Sequence, residues 1–137
     1  MRPDQNEMKL NEAQRGSYPI STLNNVSINR LNKAFIKQGE SYSINQNLKD
    51  HIEFSVFDLI NEKLSSPPES IFGDFDIVVC ANLLFYYKEE FRKIILQKTG
   101  NSLTNGGYLI TGEAEREIVL KDNYREVFLQ SGIFQIK

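Results

Sequence analysis

The sequence predicts an α/β fold built on a parallel sheet, and two observations support that prediction. The run FDIVVCA, residues 75–81, is apolar almost throughout, which is typical of a strand covered on both faces. A helical pattern follows it, and after an Asn-Gly-Gly turn comes the second apolar run YLIT, residues 108–111. A strand, helix, strand unit of this kind places its two strands parallel in one sheet.

Short elements are predicted before this unit. Leu10 and Ala13, followed by Gly16, indicate the last turn of a helix that ends at a glycine. Ser27 precedes apolar residues at helical spacing, so a short amphipathic helix is predicted over 28–37, with 35–37 extended as the alternative. The alternation at 42–44 predicts a short strand or hairpin arm.

Further elements flank the unit on both sides. The segment IEFSVFD, residues 52–58, is rich in β-branched and aromatic residues and predicts a strand, and 61–73 is too rich in proline, serine and glycine to be other than a loop. The crossover helix is predicted over about 88–103. The tail predicts a helical turn near 124–129 and a strand in the last five residues.

Composition excludes several functional classes. A chain of 137 residues with 40% hydrophobic and 25% charged residues is typical of one globular domain. Sixteen basic and eighteen acidic residues leave a net charge of -2 without a charged block, which argues against nucleic acid as a partner. The longest apolar stretch is too short to insert into a membrane. The polar start carries no secretory signal, so a cytoplasmic location is expected.

Soft ligands and nucleophiles are scarce. Cys80 is the only cysteine and His51 the only histidine, so neither a zinc site nor a cysteine-histidine pair is expected. Within its apolar strand Cys80 is interpreted as a small hydrophobic residue. None of the eight glycines fits a G-x-G-x-x-G loop.

Polar residues follow two predicted strands at the point where each strand ends. Asp58 closes IEFSVFD and Asn82 follows FDIVVCA. Ligands bind beyond the carboxyl ends of parallel strands, so both side chains are expected within reach of one ligand. Asp58 is equally consistent with a helix cap or turn, and Asn82 with a satisfied structural turn. Tyr86 and Tyr87 could line a pocket or belong to the core.

The run FDIVVCANLLFYY, a helix and then NGGYLITGEAE resemble a hallmark stretch of the CheR methyltransferases. That family shows F-D-x-I-x-C-R-N-x-x-I-Y-F, a helix and then P-x-G-Y-L-x-x-G-x-x-E. GSYPISTLNNVSINRLNKAF and YSINQNLKDHIEFSVFDL are similar to the family's middle region, including a small antiparallel insertion near 35–44. The resemblance covers roughly residues 10–137.

The resemblance implies a partial doubly wound class I methyltransferase (Rossmann-like) sheet. Residues 1–137 would form a single partial domain, with a helix and antiparallel insertion at about 28–45 and the C-terminal half of the sheet at 52–137. The first two strands and the glycine loop are expected to be absent from the chain. With the family's strand order 3-2-1-4-5-7-6, strand 3 (52–58) is expected to move across and pair with strand 4 (75–81).

The resemblance also implies an activity, the transfer of a methyl group from S-adenosylmethionine to glutamate side chains of chemotaxis receptors. Asp58 and Leu59 would border the adenine, Cys80 and Asn82 would lie along the cofactor, and Tyr86 would face the substrate as the catalytic residue. Ala81 stands where the family has an arginine that engages the substrate carboxylate.

Partners and alternatives follow from the same comparison. A chemotaxis receptor or another protein would be the substrate, and a second chain could supply the missing strands. The competing function is a non-catalytic methyltransferase remnant that serves as a protein-interaction module. A third hypothesis is a generic nucleotide-binding half-domain.

Overall fold

The computed structural model describes residues 3–54, 59–60 and 75–137, with side chains from residue 7 onward. The chain divides into two compact units, Met1–Val56 and Phe57–Lys137, and each is described by itself. In the part of the chain that the structure describes, no helix is both long and apolar enough to cross a membrane.

The first unit opens with a helix that ends at a glycine. Helix α1 spans Pro3–Arg15, and Gly16 follows it with a φ of 63°. A left-handed residue directly after a helix favours glycine because a side chain there would be strained. The predicted helix end is therefore confirmed, and the helix is longer than the single turn predicted.

A three-stranded antiparallel sheet forms the rest of this unit. Its strands are β1 (Ser17–Pro19), β2 (Phe35–Gln38) and β3 (Ser41–Ile44), in the order β1-β3-β2. Helix α2 (Ile28–Ala34) precedes β2, and the short helix α3 (Gln46–Lys49) follows β3. The hydroxyl of Ser27 caps α2 by accepting the N–H of Arg30 at 3.3 Å. The prediction of helix beyond residue 34 was wrong, and the extended alternative for 35–37 is confirmed.

The second unit is a four-stranded mixed sheet with helices. Its elements are β4 (Phe75–Cys80), α4 (Glu89–Ser102), β5 (Leu103–Thr111), α5 (Arg116–Leu120), β6 (Tyr124–Glu126) and β7 (Ile133–Ile136). The order is β4-β5-β7-β6, with β4 and β5 parallel and the other pairs antiparallel. The predicted parallel strand, helix, strand unit is confirmed, and the order agrees with the 4-5-7-6 part of the expected arrangement.

The tail was predicted only in part. The terminal strand is confirmed as β7, which pairs with β5. The predicted helical turn near 124–129 is wrong, since Tyr124 and Glu126 pair with Ile136 and Phe134 across an antiparallel ladder. This pairing joins segments that sequence periodicity does not relate to each other.

The predicted strand over 52–58 is not formed at its start. Residues 52–54 are irregular, and 55–58, like the predicted loop at 61–73, lie outside the described residues. Among the described residues β4 pairs with β5 alone. The expected pairing of strand 3 with strand 4 is therefore wrong for 52–54.

Helix α4 covers one face of the sheet and forms the core with it. Fully buried core residues include Leu84, Ile95, Leu109, Val119 and Phe134. On the opposite face of β4, Phe75, Ile77 and Val79 are 40%, 56% and 65% exposed. The run expected to be covered on both faces is thus covered on only one within the described part of the chain.

Candidate functional site

The candidate site lies at the carboxyl ends of β4 and β5. These ends are adjacent, because Cys80 pairs in register with Thr111. The hydroxyl of Thr111 also donates to the carbonyl of Cys80 at 3.0 Å, which ties the two strand ends together. Ligands of open parallel sheets bind at such an edge, so its side chains are the first candidates for function.

Asn82 sits just beyond the end of β4 in a left-handed conformation. Its φ is 58°, and the residue is exposed. Among residues with a side chain, asparagine adopts this conformation with comparatively little strain. The chain therefore turns sharply after β4. We call residues 82–86, from Asn82 to Tyr86, the β4 exit turn.

A buried carboxylate holds the start of the exit turn. Glu115 is 0% exposed, and its oxygens accept the backbone N–H groups of Asn82 at 2.5 Å, Leu83 at 2.8 Å and Leu84. Three consecutive N–H groups that converge in this way form an anion-binding nest. In this chain the nest is occupied by the protein's own carboxylate.

Close packing around Gly112 completes this arrangement. A Cβ atom at Gly112 would come within 3.0 Å of Oε1 of Glu115 and 3.1 Å of Oδ1 of Asn82. Such distances are tighter than most contacts of a Cβ atom, so Glu115 and Asn82 would have to shift slightly to admit a side chain at Gly112.

A guanidinium holds the other end of the exit turn. Arg92 on α4 donates from Nε to the carbonyl of Leu84 at 2.8 Å and from Nη2 to the carbonyl of Phe85 at 3.4 Å. The N–H groups at the start of the turn thus bond to an acid and the C=O groups near its end bond to a base. Local backbone groups on both sides are satisfied, which stabilises one conformation of the turn.

Tyr86 is presented to solvent at the end of this turn. The residue is 76% exposed, and its ring lies 4.5 Å from that of Phe85, measured between centroids, at an angle of 46°. A phenol held in this way can present both its ring and its hydroxyl to a large ligand. Tyr86 and Asn82, predicted as site residues, are therefore brought together on one short turn.

Cys80 reaches the same edge only through its backbone. Its side chain belongs to the core and is 8% exposed. Burial raises the pKa of the thiol to about 11, and the charge of Glu115 adds to this shift. A neutral, buried thiol is not a nucleophile, so any ligand contact at this position would run through main-chain atoms.

The structure does not bring Leu59 to this edge. Leu59 is half-buried and lines a cavity of about 250 Å³ together with Phe75, Ile77 and Val78 of β4 and the last turns of α4. These β4 residues precede the carboxyl end, whereas Asn82 follows it. Leu59 packs there because burying its apolar side chain in the hydrophobic cluster lowers the free energy more than placing it at the polar edge would. Asp58, the other predicted adenine contact, lies outside the described residues.

Sequence reasoning missed the two residues that shape the exit turn. Glu115 lies in the charged stretch GEAE, and Arg92 lies on the polar side of a helical pattern, so both resembled surface residues. The one available signal for Glu115 was its place as the final acid of the motif that follows β5.

A family model and several curated proteins match this chain. The family model described as CheR methyltransferase, SAM binding domain, matches residues 2–133. The chain is 30% identical over 126 residues to a protein of Pseudomonas putida named chemotaxis protein methyltransferase Cher2, which covers 90% of this chain and 44% of that protein. A chemotaxis protein methyltransferase 1 of Pseudomonas aeruginosa is 29% identical over the same shares of the two chains.

A further relative, from Listeria monocytogenes, bears a similar name. The chemotaxis protein methyltransferase of Listeria monocytogenes is 29% identical over 78% of this chain and 38% of its own length. The chain thus spans less than half the length of these relatives. Because the family model covers nearly all of it, the chain belongs to the CheR methyltransferase family, and S-adenosylmethionine is the cofactor of the domain that it carries.

Proposed function

We propose that this chain takes part in methyl transfer from S-adenosylmethionine to glutamate side chains of chemotaxis receptors. The observation that carries the proposal is the exit turn, which leaves the side chains of Asn82 and Tyr86 exposed on one short segment after β4. The names of the relatives support the assignment to chemotaxis.

The residues at this edge fit part of such a cofactor. Asn82 offers a carboxamide that can donate and accept hydrogen bonds, and the carboxyl group of Glu115 accepts the backbone N–H of Asn82. A sulfonium compound with an adenosine and an amino-acid part needs both kinds of group. When bound, the cofactor supplies a methyl group that is activated by the positive sulfur. Asn82 and the backbone at Cys80 are the proposed contacts.

The acceptor needs orientation rather than a base. A glutamate side chain is already ionised near neutral pH, so no proton has to be removed before it attacks. Rate is then gained by holding the carboxylate in line with the methyl group and by excluding water. We assign orientation of the incoming side chain to the exposed hydroxyl and ring of Tyr86.

A second part of the proposal concerns the free side of β4. Within the described residues this strand pairs with β5 alone, and the side chains of Ile77 and Val79 are more than half exposed. We propose that further strands of a complete methyltransferase domain add to this edge. Hydrogen exchange tests this: β4 alone should protect alternate amides, and an added strand should protect every amide from Ile77 to Cys80.

An alternative function is a non-catalytic interaction module that retains this half of the sheet. The observation that favours it is Ala81, an exposed residue where the family's arginine is expected to engage the substrate carboxylate. Alanine offers neither charge nor hydrogen bonds to an acceptor. Such a module would keep the fold and bind a partner without binding the cofactor.

Calorimetric titration separates the two functions. The chain should release heat with S-adenosylmethionine and with S-adenosylhomocysteine, and Asn82→Gly should weaken both, because glycine keeps the left-handed backbone and removes only the carboxamide. Asn101→Ala, on the exposed side of α4, is the matched control. Absence of heat from the unmodified chain would favour the interaction module. Transfer of labelled methyl groups to receptor-containing membranes then tests the substrate.

A further inference from the structure

The loop between β6 and β7 exposes two large apolar side chains. We call residues 127–132, from Val127 to Gly132, the β6–β7 loop. Phe128 is 61% exposed and Leu129 is 92% exposed, the highest value among the large apolar residues that the structure describes. A single exposed leucine is ordinary on a protein surface, so its meaning depends on whether the loop is ordered and on where it lies.

Hydrogen bonds hold this loop in one shape. The N–H and the hydroxyl of Ser131 both donate to the carbonyl of Phe128, at 3.2 and 2.8 Å. Glu126, which is itself bonded to Arg116, accepts the N–H of Gly132 at 2.9 Å. A loop that is fixed before binding loses little conformational entropy when a partner covers its side chains. The loop therefore presents its apolar side chains in a form that is ready to bind.

The β6–β7 loop lies at the same edge of the sheet as the β4 exit turn. The carbonyl of Gly132 accepts the N–H of Thr111, at the carboxyl end of β5, at 2.9 Å. Thr111 in turn pairs in register with Cys80, the last residue of β4 before the exit turn. Neighbouring strands are about 4.8 Å apart, so the ends of β4 and β7 lie on the order of 10 Å apart, on either side of β5.

The exit turn adds aromatic surface to this edge. Phe85 is 40% exposed and Tyr86 is 76% exposed. With Phe128 and Leu129, the edge thus carries three aromatic rings and one leucine that solvent reaches. Aromatic side chains are enriched at the centres of protein interfaces, because they bury much apolar area with few rotatable bonds. Such an edge suits a partner that extends well beyond a small molecule.

The charges near the loop favour a protein over a lipid surface as that partner. No lysine or arginine occurs between Glu126 and Ile136, and the whole chain carries a net charge of -2. Segments that bind membrane surfaces combine apolar side chains with basic ones, which attract anionic lipids. The β6–β7 loop has only the apolar part of that pattern.

We propose that the β6–β7 loop is a docking surface for the acceptor protein, and that Phe128 and Leu129 contact apolar side chains beside the glutamate that receives the methyl group. This inference rests on the proposed function, since it concerns the acceptor of the same reaction. The acceptor glutamate is held at the exit turn, and apolar neighbours on the order of 10 Å from it cover the loop. These contacts supply affinity and orientation from groups that take no part in the transfer itself.

Three variants test the apolar contact. Leu129→Ser and Phe128→Ser remove apolar surface and leave the backbone hydrogen bonds of the loop in place, whereas Leu129→Met keeps an apolar side chain of similar size. Ile28→Ser is the matched control, because Ile28 is 77% exposed and lies on α2 in the first unit. Since all these side chains are exposed, the urea midpoints of the variants should match that of the wild type.

Sedimentation of the chain with receptor-containing membranes measures docking, and vesicles of the same lipids without receptor are the second probe. We expect Leu129→Ser and Phe128→Ser each to weaken binding to the receptor-containing membranes about ten-fold, as loss of a largely buried apolar contact would do. Leu129→Met and Ile28→Ser should bind like the wild type. In assays of methyl transfer, the two serine variants should raise the KM for these membranes and leave kcat and the affinity for S-adenosylmethionine unchanged.

Other occupants of the loop give different results. Binding to receptor-free vesicles that Leu129→Ser abolishes would identify a lipid surface as the occupant and overturn the proposal. A dimer in analytical ultracentrifugation that Leu129→Ser dissociates would identify a second copy of the chain, with the same consequence.

Failure of the proposed function is recognised separately. An unmodified chain that binds no S-adenosylmethionine in calorimetry overturns the proposed function, and this inference with it. A chain that binds the cofactor, but sediments with receptor-containing membranes equally well with and without Leu129→Ser or does not sediment with them at all, overturns only this inference.

Discussion

Arg116 and Glu126 form a two-point ion pair in which Nε lies 2.6 Å from Oε1 and Nη2 lies 2.7 Å from Oε2. The pair joins α5 to β6, and Oε1 of Glu126 also accepts the N–H of Gly132 at 2.9 Å. Paired hydrogen bonds between a guanidinium and a carboxylate fix the geometry of both groups. This pair therefore connects a helix, a strand end and the loop between β6 and β7.

Stability should fall in acid because of this pair. The hydrogen bond from Arg116 lowers the pKa of Glu126 from 4.5 to about 2, partly opposed by desolvation and aided by Gly132. A carboxyl whose pKa is lower when folded stabilises the protein fully above pH 4.5 and loses this contribution as pH falls toward 2. The melting temperature of Glu126→Gln should be lower than that of the wild type at pH 7. It should also change less than that of the wild type as the pH falls from 4.5 toward 2. The exposed Glu113→Gln is the control, and equal pH profiles for wild type and Glu126→Gln would contradict this role.

Tyr124 links the tail to the crossover helix. Its side chain is 3% exposed, and its hydroxyl donates to the carbonyl of Leu96 at 2.6 Å. Tyr124→Phe should lower the free energy of unfolding by about 1 kcal/mol, because the carbonyl loses a buried partner. Urea denaturation measures this, and the exposed Tyr86→Phe serves as control. Equal midpoints for the two variants would show that the hydrogen bond contributes nothing.

Gly132 should not tolerate a side chain. Its φ is 70°, and a Cβ atom there would lie 2.9 Å from the carbonyl oxygen of Thr111. Gly106 has a φ of 83° with nothing within 4 Å of such an atom. Gly106→Ala should therefore lower the free energy of unfolding only by the backbone strain of about 1 kcal/mol, and Gly132→Ala should lower it clearly more. Urea denaturation measures both, and equal losses of free energy for the two variants would contradict this prediction.

The thiol of Cys80 should react slowly in the folded protein. Its pKa is raised from 9.0 to about 11, first by burial and then by the charge of Glu115. At pH 8 the fraction of the thiol present as thiolate is therefore about 100-fold lower than it would be with the ordinary pKa, and burial also restricts access of the reagent. Reaction with Ellman's reagent should accelerate strongly in denaturant. A rapid native reaction would mean that the carboxyl end of β4 opens readily.

Ala81→Arg should increase methyl transfer with little change in cofactor affinity. The residue is exposed next to Asn82, and a guanidinium there could pair with the carboxylate of the acceptor glutamate. Ala81→Lys is the matched control, because it adds the charge without the paired hydrogen bonds. Transfer of labelled methyl groups measures the rate, and calorimetry measures the affinity. An unchanged rate with normal cofactor binding would show that other groups recognise the acceptor.

Sequence patterns predicted the elements whose signal is local. The apolar run of β4, the periodicity of α4 and the glycine after α1 each lie within a few residues, and each led to the right element. β1 was missed because three residues ending in a proline carry almost no pattern. β6 was mistaken for a helical turn because its identity depends on a partner strand about ten residues away.

The same distinction applies to the candidate site. Asn82 and Tyr86 were predicted because they follow a recognisable strand, and the structure places them on one turn. Glu115 was missed because its role arises from a contact 33 residues away along the chain. Cys80 lies in the right place in sequence, but the alternation of the strand directs its side chain into the core rather than toward the edge.

The order of the second sheet also has a consequence for how the chain folds. Its strand pairings join residues between 75 and 137, and the β6–β7 hairpin closes over only the six residues between Glu126 and Ile133. Short loops close at a lower entropic cost and therefore sooner than long ones. The hairpin should form early, β7 should then add to β5, and the crossover through α4 should be completed last. Residues 75–137 are thus expected to behave as one cooperative folding unit, whose amides reach a common exchange protection together.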